Sequence, residues 1–200
     1  MNLSHPPLSI IPSLTGYVLE VLAETTRPLA GREVQRLLGR KASPQAVQRI
    51  LDALAVHGVV IQQEAGQAIL NSLNREHILY PVIQALGAVQ QSVYSELQSI
   101  VHDEAPAVHK AVVFGSVLSR TATEHSDVDL LLVWPDGTPE VERDAAGEAI
   151  AQRVLTRFGN PCHPLHYAAA EFDQLAEVSP NLAQSIGDAH VDLFSGRVGT

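Results

Sequence analysis

The feature of the sequence that most restricts its fold is a pair of apolar runs, each joined to a short polar motif. Residues 111–114 run directly into Gly115-Ser116. Ten residues then separate Ser116 from the motif Asp127-Val128-Asp129, which opens the apolar run 130–134. Short continuous apolar runs of this kind are typical of buried strands. The pattern predicts two such strands, with Gly-Ser at the end of one and two carboxylates at the start of the other.

The chemistry of these two motifs is complementary. Glycine at a strand end lets the backbone approach a phosphate closely, and the Ser116 hydroxyl with the N–H groups of the next turn can hold anionic oxygens. Side chains two apart on a strand point to the same face, so Asp127 and Asp129 can converge on one or two Mg²⁺ ions. Each motif alone is common, but together they predict a site for a nucleotide's phosphates and their metal.

The combined pattern also resembles a known family. The motifs that carry the resemblance are Phe114-Gly115-Ser116 and Ser126-Asp127-Val128-Asp129. They resemble the DNA polymerase beta-like nucleotidyltransferases, especially the minimal members found in prokaryotic toxin–antitoxin systems and fused to winged helices. The resemblance covers residues 95–198 and implies a small α/β domain with a mixed sheet. It further implies that Gly115, Ser116 and Ser126 bind a nucleoside triphosphate, and that Asp127 and Asp129 hold Mg²⁺ or Mn²⁺ in catalysis.

Two positions depart from the family pattern. Active members usually carry a third carboxylate on the strand that follows the intervening helix. In this chain the predicted helix is residues 140–158 and the predicted strand is residues 162–167. His163, or less favourably His166, occupies that place and is predicted as a catalytic residue. Histidine can act as a base near neutral pH, yet neutral imidazole is a poor ligand for Mg²⁺, so activity is left open. Arg120 stands where many members have glycine, and it is expected to contact phosphate.

The N-terminal part of the chain has a different pattern. Apolar residues recur at helical spacing over residues 14–22 and 31–38, and again after Ser43-Pro44, a strong helix start. Two β-prone runs, 59–62 and 68–70, follow with a turn between them. Three helices and a hairpin are the parts of a winged helix-turn-helix. Residues 12–77 resemble the winged-helix domains of bacterial transcription regulators.

This resemblance implies a DNA-binding surface. If the third helix enters a major groove, the exposed residues of its N-terminal turns meet base edges. Those residues are Ser43, Gln45, Gln48 and Arg49. The cations expected near phosphates are Arg32, Arg36, Arg40 and Lys41. Winged helices also mediate protein–protein contacts, and the predicted wing tip carries Glu64 and no Lys or Arg, so that alternative stays open.

The predicted fold class is α+β, with an N-terminal winged helix-turn-helix followed by the nucleotidyltransferase domain. The expected limits are residues 1–77 for the first domain, 78–104 for a connecting helix and 105–200 for the second domain. Apolar residues recur at three- and four-residue steps along the connecting helix. It is expected either to pack on the second domain or to form the seam of a homodimer.

Composition narrows the partners and the compartment. A single cysteine, Cys162, excludes disulfide frameworks and cysteine-based zinc modules. No apolar run is long enough to span a bilayer and the first residues lack a basic signal region, so the chain is expected in the cytoplasm without a membrane partner. Residues 1–76 carry a net charge of +1 and residues 77–200 a net charge of −10. This asymmetry predicts two units with different partners and confines DNA binding to the first.

Two functions follow from these patterns. The favoured hypothesis is a DNA-binding transcriptional regulator whose second domain binds, and in one version transfers, a nucleotide. The runner-up is an enzyme that transfers a nucleoside monophosphate to a protein partner, as in antitoxins that modify a toxin, or to a small molecule. A third interpretation is an assembly module without either activity. Template-directed polymerisation is disfavoured because little of the chain remains to grip primer and template.

Overall fold

A computed structural model describes residues 1–117, 123, 126–188, 190–196 and 198–199. The chain divides into two compact units. One comprises His5–Gln90, and the other comprises Met1–Ser4 together with Gln91–Thr200. The first contains the helices and hairpin of a winged helix and the second a mixed sheet with helices, so the predicted α+β class is confirmed. The domain limits at residues 77 and 104 stay predictions.

The first unit is built on three helices and a small sheet. Its elements are α1 (Leu14–Ala23), β1 (Leu29–Ala30), α2 (Gly31–Leu38), α3 (Pro44–Val56), β2 (Val60–Ala65) and β3 (Ala68–Leu73). The strands, all within a fully described range, pair antiparallel in the order β1-β3-β2. Val18, Val34, Val47 and Leu51 are fully buried in its core. One apolar face of each helix therefore covers the same centre.

Local sequence signals explain where α3 begins. The Ser43 hydroxyl accepts the Ala46 N–H at 3.2 Å, and Pro44 stands at the first helical position, where no N–H partner is needed.

The hairpin strands extend further than predicted, because Ala65 pairs with Ala68 and leaves a two-residue loop. Strand β1 was not predicted, because two residues have no periodicity and exist as a strand only through pairing with β3.

The long apolar stretch forms helix α4 (Tyr80–Glu104), and the division between the units falls within it. In the first unit, Ile83 belongs to the core, and a Cβ on Gly87 would lie 2.8 Å from the Cβ of Ala23 at the end of α1. In the second unit, Leu97 and Ile100 are buried. The helix thus packs in the second unit, as one of its two predicted roles has it, and also in the first unit, which was not predicted. The dimer seam stays a prediction.

The second unit centres on a mixed sheet. Its strands are β4 (Lys110–Phe114), β5 (Asp129–Trp134), β6 (Leu165–Ala168), β7 (His190–Asp192) and β8 (Val198–Gly199). The described strands lie in the order β6-β5-β4-β7-β8, with β5 and β6 parallel and the other pairs antiparallel. Successive residues of β4 and β5 are buried, so both faces of the sheet centre are covered.

Helices cover this sheet and connect its strands. They are α5 (Glu140–Phe158), α6 (Ala169–Asp173), α7 (Leu175–Val178) and α8 (Pro180–Asp188). Val112, Phe114, Leu131 and Val133 line one face of the sheet and pack with Leu175 and Ile186 of the later helices. At one edge of this packed region β4 ends at Phe114 and β5 begins at Asp129.

Candidate functional site

The turn after β4 lies directly against the carboxylate that begins β5. Phe114 pairs with Asp129, and Gly115–Val117 then forms a single turn of 3-10 helix. Gly115 has φ +76°, in the left-handed region that favours glycine. A Cβ there would lie 2.9 Å from Cγ of Asp129 and closer still to its Oδ2. Only glycine therefore lets this turn and the carboxylate approach each other as they do.

Asp129 has an environment that opposes its charge. The carboxylate is half-buried, and this desolvation is the largest influence that raises its pKa. The Ser116 N–H donates to the carboxylate and lowers the pKa, while the charge of Asp127 raises it further. The Ser116 N–H and the Asp127 charge both act on Asp129, so the two aspartates and the Gly-Ser turn lie close together. Their roles in binding metal and nucleotide stay predictions.

Asp127 lies just outside β5. Its side chain is exposed, while the neighbouring Val128 is buried, donates its N–H to Pro161 O at 2.8 Å and forms a parallel bridge with Cys162. Ser126 closes the preceding loop, since its hydroxyl accepts the Thr123 N–H at 2.9 Å. The start of β5 is therefore held by backbone contacts, with the Asp127 carboxylate left open to solvent.

The strand beside β5 carries the residues considered for the third carboxylate. Val128 bridges to Cys162 and Leu131 pairs with Leu165, so His163 stands in register with Asp129. His163 is exposed. It lies next to a groove of about 680 Å³ that Pro161, Cys162 and one side of α5 also line. Of the two histidines, His163 is the one beside the aspartates.

His166 lies towards the other end of β5. Its Nδ1 accepts the Trp134 Nε1–H at 3.0 Å, and its Nε2 lies 2.6 Å from where a Cβ on Gly147 of α5 would stand. Burial lowers the pKa of His166, which favours the neutral ring. This residue is a packing and hydrogen-bonding partner of Trp134 and does not approach Asp127 or Asp129.

Two residues of the site were missed by sequence reasoning. Burial, and then the charges of Asp129 and Asp127, raise the pKa of the Cys162 thiol to about 12, so it stays protonated at neutral pH. The Asn160 side chain, fully buried, donates to Ser126 O at 2.9 Å. In the sequence, Gly159-Asn160 indicates only the end of the preceding helix. No local signal marks Asn160 as a neighbour of a loop 34 residues earlier.

The predicted DNA-contacting residues lie on and around α3. Ser43, Gln45 and Arg49 are exposed, although the Ser43 hydroxyl is used as the helix cap. Gln48 is half-buried, and its Nε2 donates to Oδ1 of Asp52 at 2.8 Å. The same Asp52 oxygen accepts from Nε2 of Gln62 at 3.0 Å. Reaching a base edge would therefore require Gln48 to leave Asp52.

The predicted phosphate-contacting cations separate into two groups. Arg32, Arg36 and Arg40 are exposed on and after α2. Lys41 instead has its Nζ 2.6 Å from His5 Nε2 and 4.4 Å from the centre of the Tyr17 ring. The three arginines stay candidates for phosphate contacts, whereas Lys41 already stabilises the start of the first unit.

Comparison with known families identifies the two domains. Residues 95–168 match the family model of the nucleotidyltransferase domain, and residues 14–74 match that of the TBPIP/Hop2 winged helix domain. The chain joins a winged-helix domain to a nucleotidyltransferase domain. Both domain types predicted from the sequence are therefore confirmed, while the likeness of the first to bacterial transcription regulators stays a prediction.

Three solved structures to which the chain shows a likeness come from toxin–antitoxin systems. One is a mutant of the MntA–HpeT pair, with 17% identity, 54% of this chain and 73% of that chain covered, and a TM-score of 0.38. Another is the tri-AMPylated HEPN toxin of Shewanella oneidensis with its MNT antitoxin, with 18% identity, coverage of 55% and 72%, and a TM-score of 0.35. A toxin–antitoxin structure with AMP-PNP has 19% identity, coverage of 54% and 73%, and a TM-score of 0.38. All three are distant likenesses. No curated protein sequence matches the chain.

The described part of the nucleotidyltransferase domain offers few ligands for a metal ion. Among the described residues, no group of three or more His, Cys, Asp and Glu side chains is arranged to hold one. What it offers is the carboxylate pair of Asp127 and Asp129, with the Gly115 turn alongside. Mg²⁺ is commonly bound through one or two carboxylates and the phosphates of a substrate. The site thus fits a cation that arrives with a nucleotide better than one held by protein alone.

Arg120, the residue expected to contact phosphate, lies outside the described residues. In the part of the chain that the structure describes, no helix combines the length and apolar character that crossing a membrane requires.

Proposed function

We propose that this chain is a DNA-binding transcriptional regulator whose nucleotidyltransferase domain binds a nucleoside triphosphate together with Mg²⁺ or Mn²⁺. The observation that supports the nucleotide site most directly is the contact between the Gly115-Ser116 turn and the Asp129 carboxylate. A Gly-Ser turn suited to phosphate and carboxylates suited to a cation meet at this point. Such a protein would act in the cytoplasm, where DNA and nucleotides are both present.

Each residue of the site has a proposed role. Gly115 and Ser116 bind phosphate oxygens, and Ser126 and Arg120 add contacts to the triphosphate. Asp127 and Asp129 hold the cation, which neutralises phosphate charge and aligns an attacking group. The raised pKa of Asp129 supports this role, because a carboxylate that is costly to ionise alone gains most from a cation beside it.

DNA binding is proposed for the winged-helix domain. Gln45 and Arg49 project from the N-terminal turns of α3, where recognition helices contact bases. Arg32, Arg36 and Arg40 supply exposed positive charge on the neighbouring element. Residues 1–77 are the proposed DNA-binding part, and a homodimer on two half-sites is the arrangement that such regulators commonly use.

A second candidate function is nucleotidyl transfer to a protein, such as a toxin partner, or to a small molecule. The position of His163 favours it, since this exposed imidazole stands in register with Asp129 beside an open groove. An acceptor oxygen would bond to the α-phosphorus, and the bond from that phosphorus to the β-phosphate oxygen would break. Pyrophosphate would leave with the electron pair, and His163 would take the acceptor's proton.

One experiment separates binding from transfer. The purified chain is incubated with each α-labelled ribonucleoside triphosphate and Mg²⁺ or Mn²⁺, alone and with cell extract. The Asp127→Asn/Asp129→Asn variant is the control, because it keeps the side-chain shape and removes both charges. Nucleotide retained without label transfer, and lost in the control, supports the regulator. Covalent transfer that the control abolishes supports the enzyme, and no binding by the unaltered chain rejects the proposed site.

A second experiment tests DNA binding. Random duplex DNA is selected on the full chain, and the recovered sites are compared with those from a variant changed only in α3, which combines Gln45→Ala with Arg49→Ala. Enrichment of one motif by the unaltered chain, lost in the variant, supports the regulator. Failure to enrich any motif would leave the winged-helix domain without its proposed role.

A further inference from the structure

The first four residues are part of the nucleotidyltransferase unit, although more than 80 residues separate them from the rest of it. Leu3 and Ser4 are each only 1% exposed. The segment lies outside residues 95–168, which match the nucleotidyltransferase family model. Burial this complete shows that the segment is packed into the unit and is not a solvated extension of the chain.

One end of the segment contacts Asn160. The Asn160 Nδ2 group donates to Met1 O at 3.0 Å and to Ser126 O at 2.9 Å, and its Oδ1 accepts from Met1 N at 2.8 Å. The Met1 nitrogen also donates to Phe158 O at 3.1 Å. The amide of Asn160 thus uses both its hydrogens and its oxygen to join residue 1 to the residue that directly precedes Asp127.

The other end of the segment reaches the Gly-Ser turn. The Ser4 hydroxyl lies 3.4 Å from Ser116 O and 3.5 Å from Val117 O, which are long contacts for a hydroxyl donor. Ser4 is nevertheless buried against this turn, and Leu3 beside it is packed. The segment therefore reaches both parts of the proposed nucleotide site. Ser4 contacts the Ser116 turn, and Met1 is joined through Asn160 to Ser126.

We propose that Asn160 is a positioning residue of the nucleotide site and that residues 1–4 and Asn160 together form a brace that fixes Ser126-Asp127 relative to the Gly115-Ser116 turn. The inference rests on the proposed nucleotide site for its functional part. Two carboxylates of like charge repel each other, so the backbone that carries them needs support from outside the pair. The Asn160 bond to Ser126 O supplies that support one residue from Asp127.

Hydrogen exchange in the nucleotide-free full chain tests the brace. The reporters are the Ser126 N–H, which bonds to Thr123 O at 3.2 Å, and the Val128 N–H, which bonds to Pro161 O at 2.8 Å. Asn160→Ala removes two hydrogen bonds to Met1 and the one to Ser126 O. Loss of the bond to Ser126 O is expected to speed exchange at these amides by about tenfold, while central β5 amides keep their rates. Asn181→Ala, at an exposed position of α8, is the matched control and should change neither.

Nucleotide affinity is the second measurement. Mn²⁺ with the triphosphate that the unaltered chain binds best is titrated, and Asn160→Ala is expected to weaken binding by about tenfold. If the unaltered chain binds no nucleotide, the proposed function fails. The exchange data still test the brace, because they are measured without nucleotide. Unchanged exchange at Ser126 and Val128 would overturn the brace, as would faster exchange spread evenly through the unit, which is the signature of lost packing alone.

A second variant covers the case in which Asn160→Ala does not fold. Leu3→Ala loosens the segment at its buried residue and is expected to raise exchange at the Val117 end of the turn before it affects β5. Leu155→Ala, at a position of α5 that is 45% exposed, removes the same atoms without reaching the turn. Equal exchange at residues 115–117 in the two leucine variants would contradict the proposal.

Discussion

The Asp129 carboxylate is half-buried beside Asp127 and accepts the Ser116 N–H. Desolvation and the neighbouring charge outweigh that hydrogen bond, so its pKa lies above the ordinary value of 3.8. A side chain placed in this way costs stability when it ionises in the folded chain. Residues with such perturbed ionisation are common at functional sites, where a ligand later compensates the cost.

Asp129→Asn is therefore expected to make the cation-free chain more stable at pH 7. Because the pKa of Asp129 is higher in the folded chain, the folded state favours the protonated carboxyl. That contribution to stability is present below the unfolded pKa of about 3.8 and is lost as pH rises through the folded pKa. The gain from the substitution should accordingly shrink as pH falls towards 4. Thermal unfolding across this pH range, with a chelator present, measures it.

The control for this prediction is Asp173→Asn, since Asp173 is exposed at the end of α6. Its stability should follow that of the unaltered chain at every pH. If Asp129→Asn lowers the unfolding temperature at pH 7, the carboxylate has a stabilising partner and the argument from desolvation is wrong. The same variant should also lose cation-dependent nucleotide binding.

Gly115→Ala tests the close approach of the turn to Asp129. The substitution is expected to destabilise the chain by about 1–3 kcal/mol through backbone strain and by more through the contact with Asp129. Gly137→Ala separates the two effects, because Gly137 has φ +83° and no atom within 4 Å of the added Cβ. Denaturant unfolding of both variants measures the difference. Equal destabilisation would show that Asp129 does not restrict the turn.

At the scale of single elements, sequence signals work where they are local. Ser43-Pro44 predicts the start of α3 because the cap hydroxyl and the missing proline N–H act within one turn of helix. The hairpin is predicted in position but too short, because pairing across the sheet extends β2 and β3. Strand β1 forms only by pairing with Asn71 and Leu70 of β3, so residues 29–30 carry no sequence pattern that predicts it.

Helix α3 gives a prediction that distinguishes two neighbours. Arg49 is exposed, whereas Gln48 is half-buried and bonded to Asp52. Arg49→Ala is expected to weaken binding to the selected DNA motif by about 1–3 kcal/mol, as loss of a base-contacting arginine does. Gln48→Ala should change DNA affinity less. Fluorescence anisotropy on the selected motif and a scrambled duplex measures both, and a larger loss for Gln48→Ala would reverse the assignment.

At the scale of the whole molecule, charge is divided between the two parts of the chain. The net charge is −9, but residues 1–76 carry +1 and residues 77–200 carry −10. The proposed DNA binding would therefore depend on a small cationic surface on the first unit. If Arg32, Arg36 and Arg40 contact phosphates, the logarithm of affinity should fall with the logarithm of salt concentration with a slope of roughly −3 per protomer.

Arg36→Ala is expected to reduce that slope by about one, because it removes one phosphate contact. Its matched control is Arg157→Ala, which removes an arginine of α5 that pairs with Glu96 at 2.7 Å in the nucleotidyltransferase unit. Affinity measured over a salt series compares the two. A slope changed equally by both substitutions would mean that net charge, and not the surface around α2 and α3, governs binding.

The sequence by itself determined the two domain types and the central pair of motifs. Strand periodicity, the Gly-Ser turn and the Asp-x-Asp spacing are local patterns, and each places its residues within a few positions of one another. Only the tertiary structure decided which histidine stands beside the aspartates, because that depends on the register of β6 against β5. It also decided the place of Asn160 and residues 1–4. Their contacts join parts of the chain separated by more than 30 residues, and no local pattern encodes such a distance.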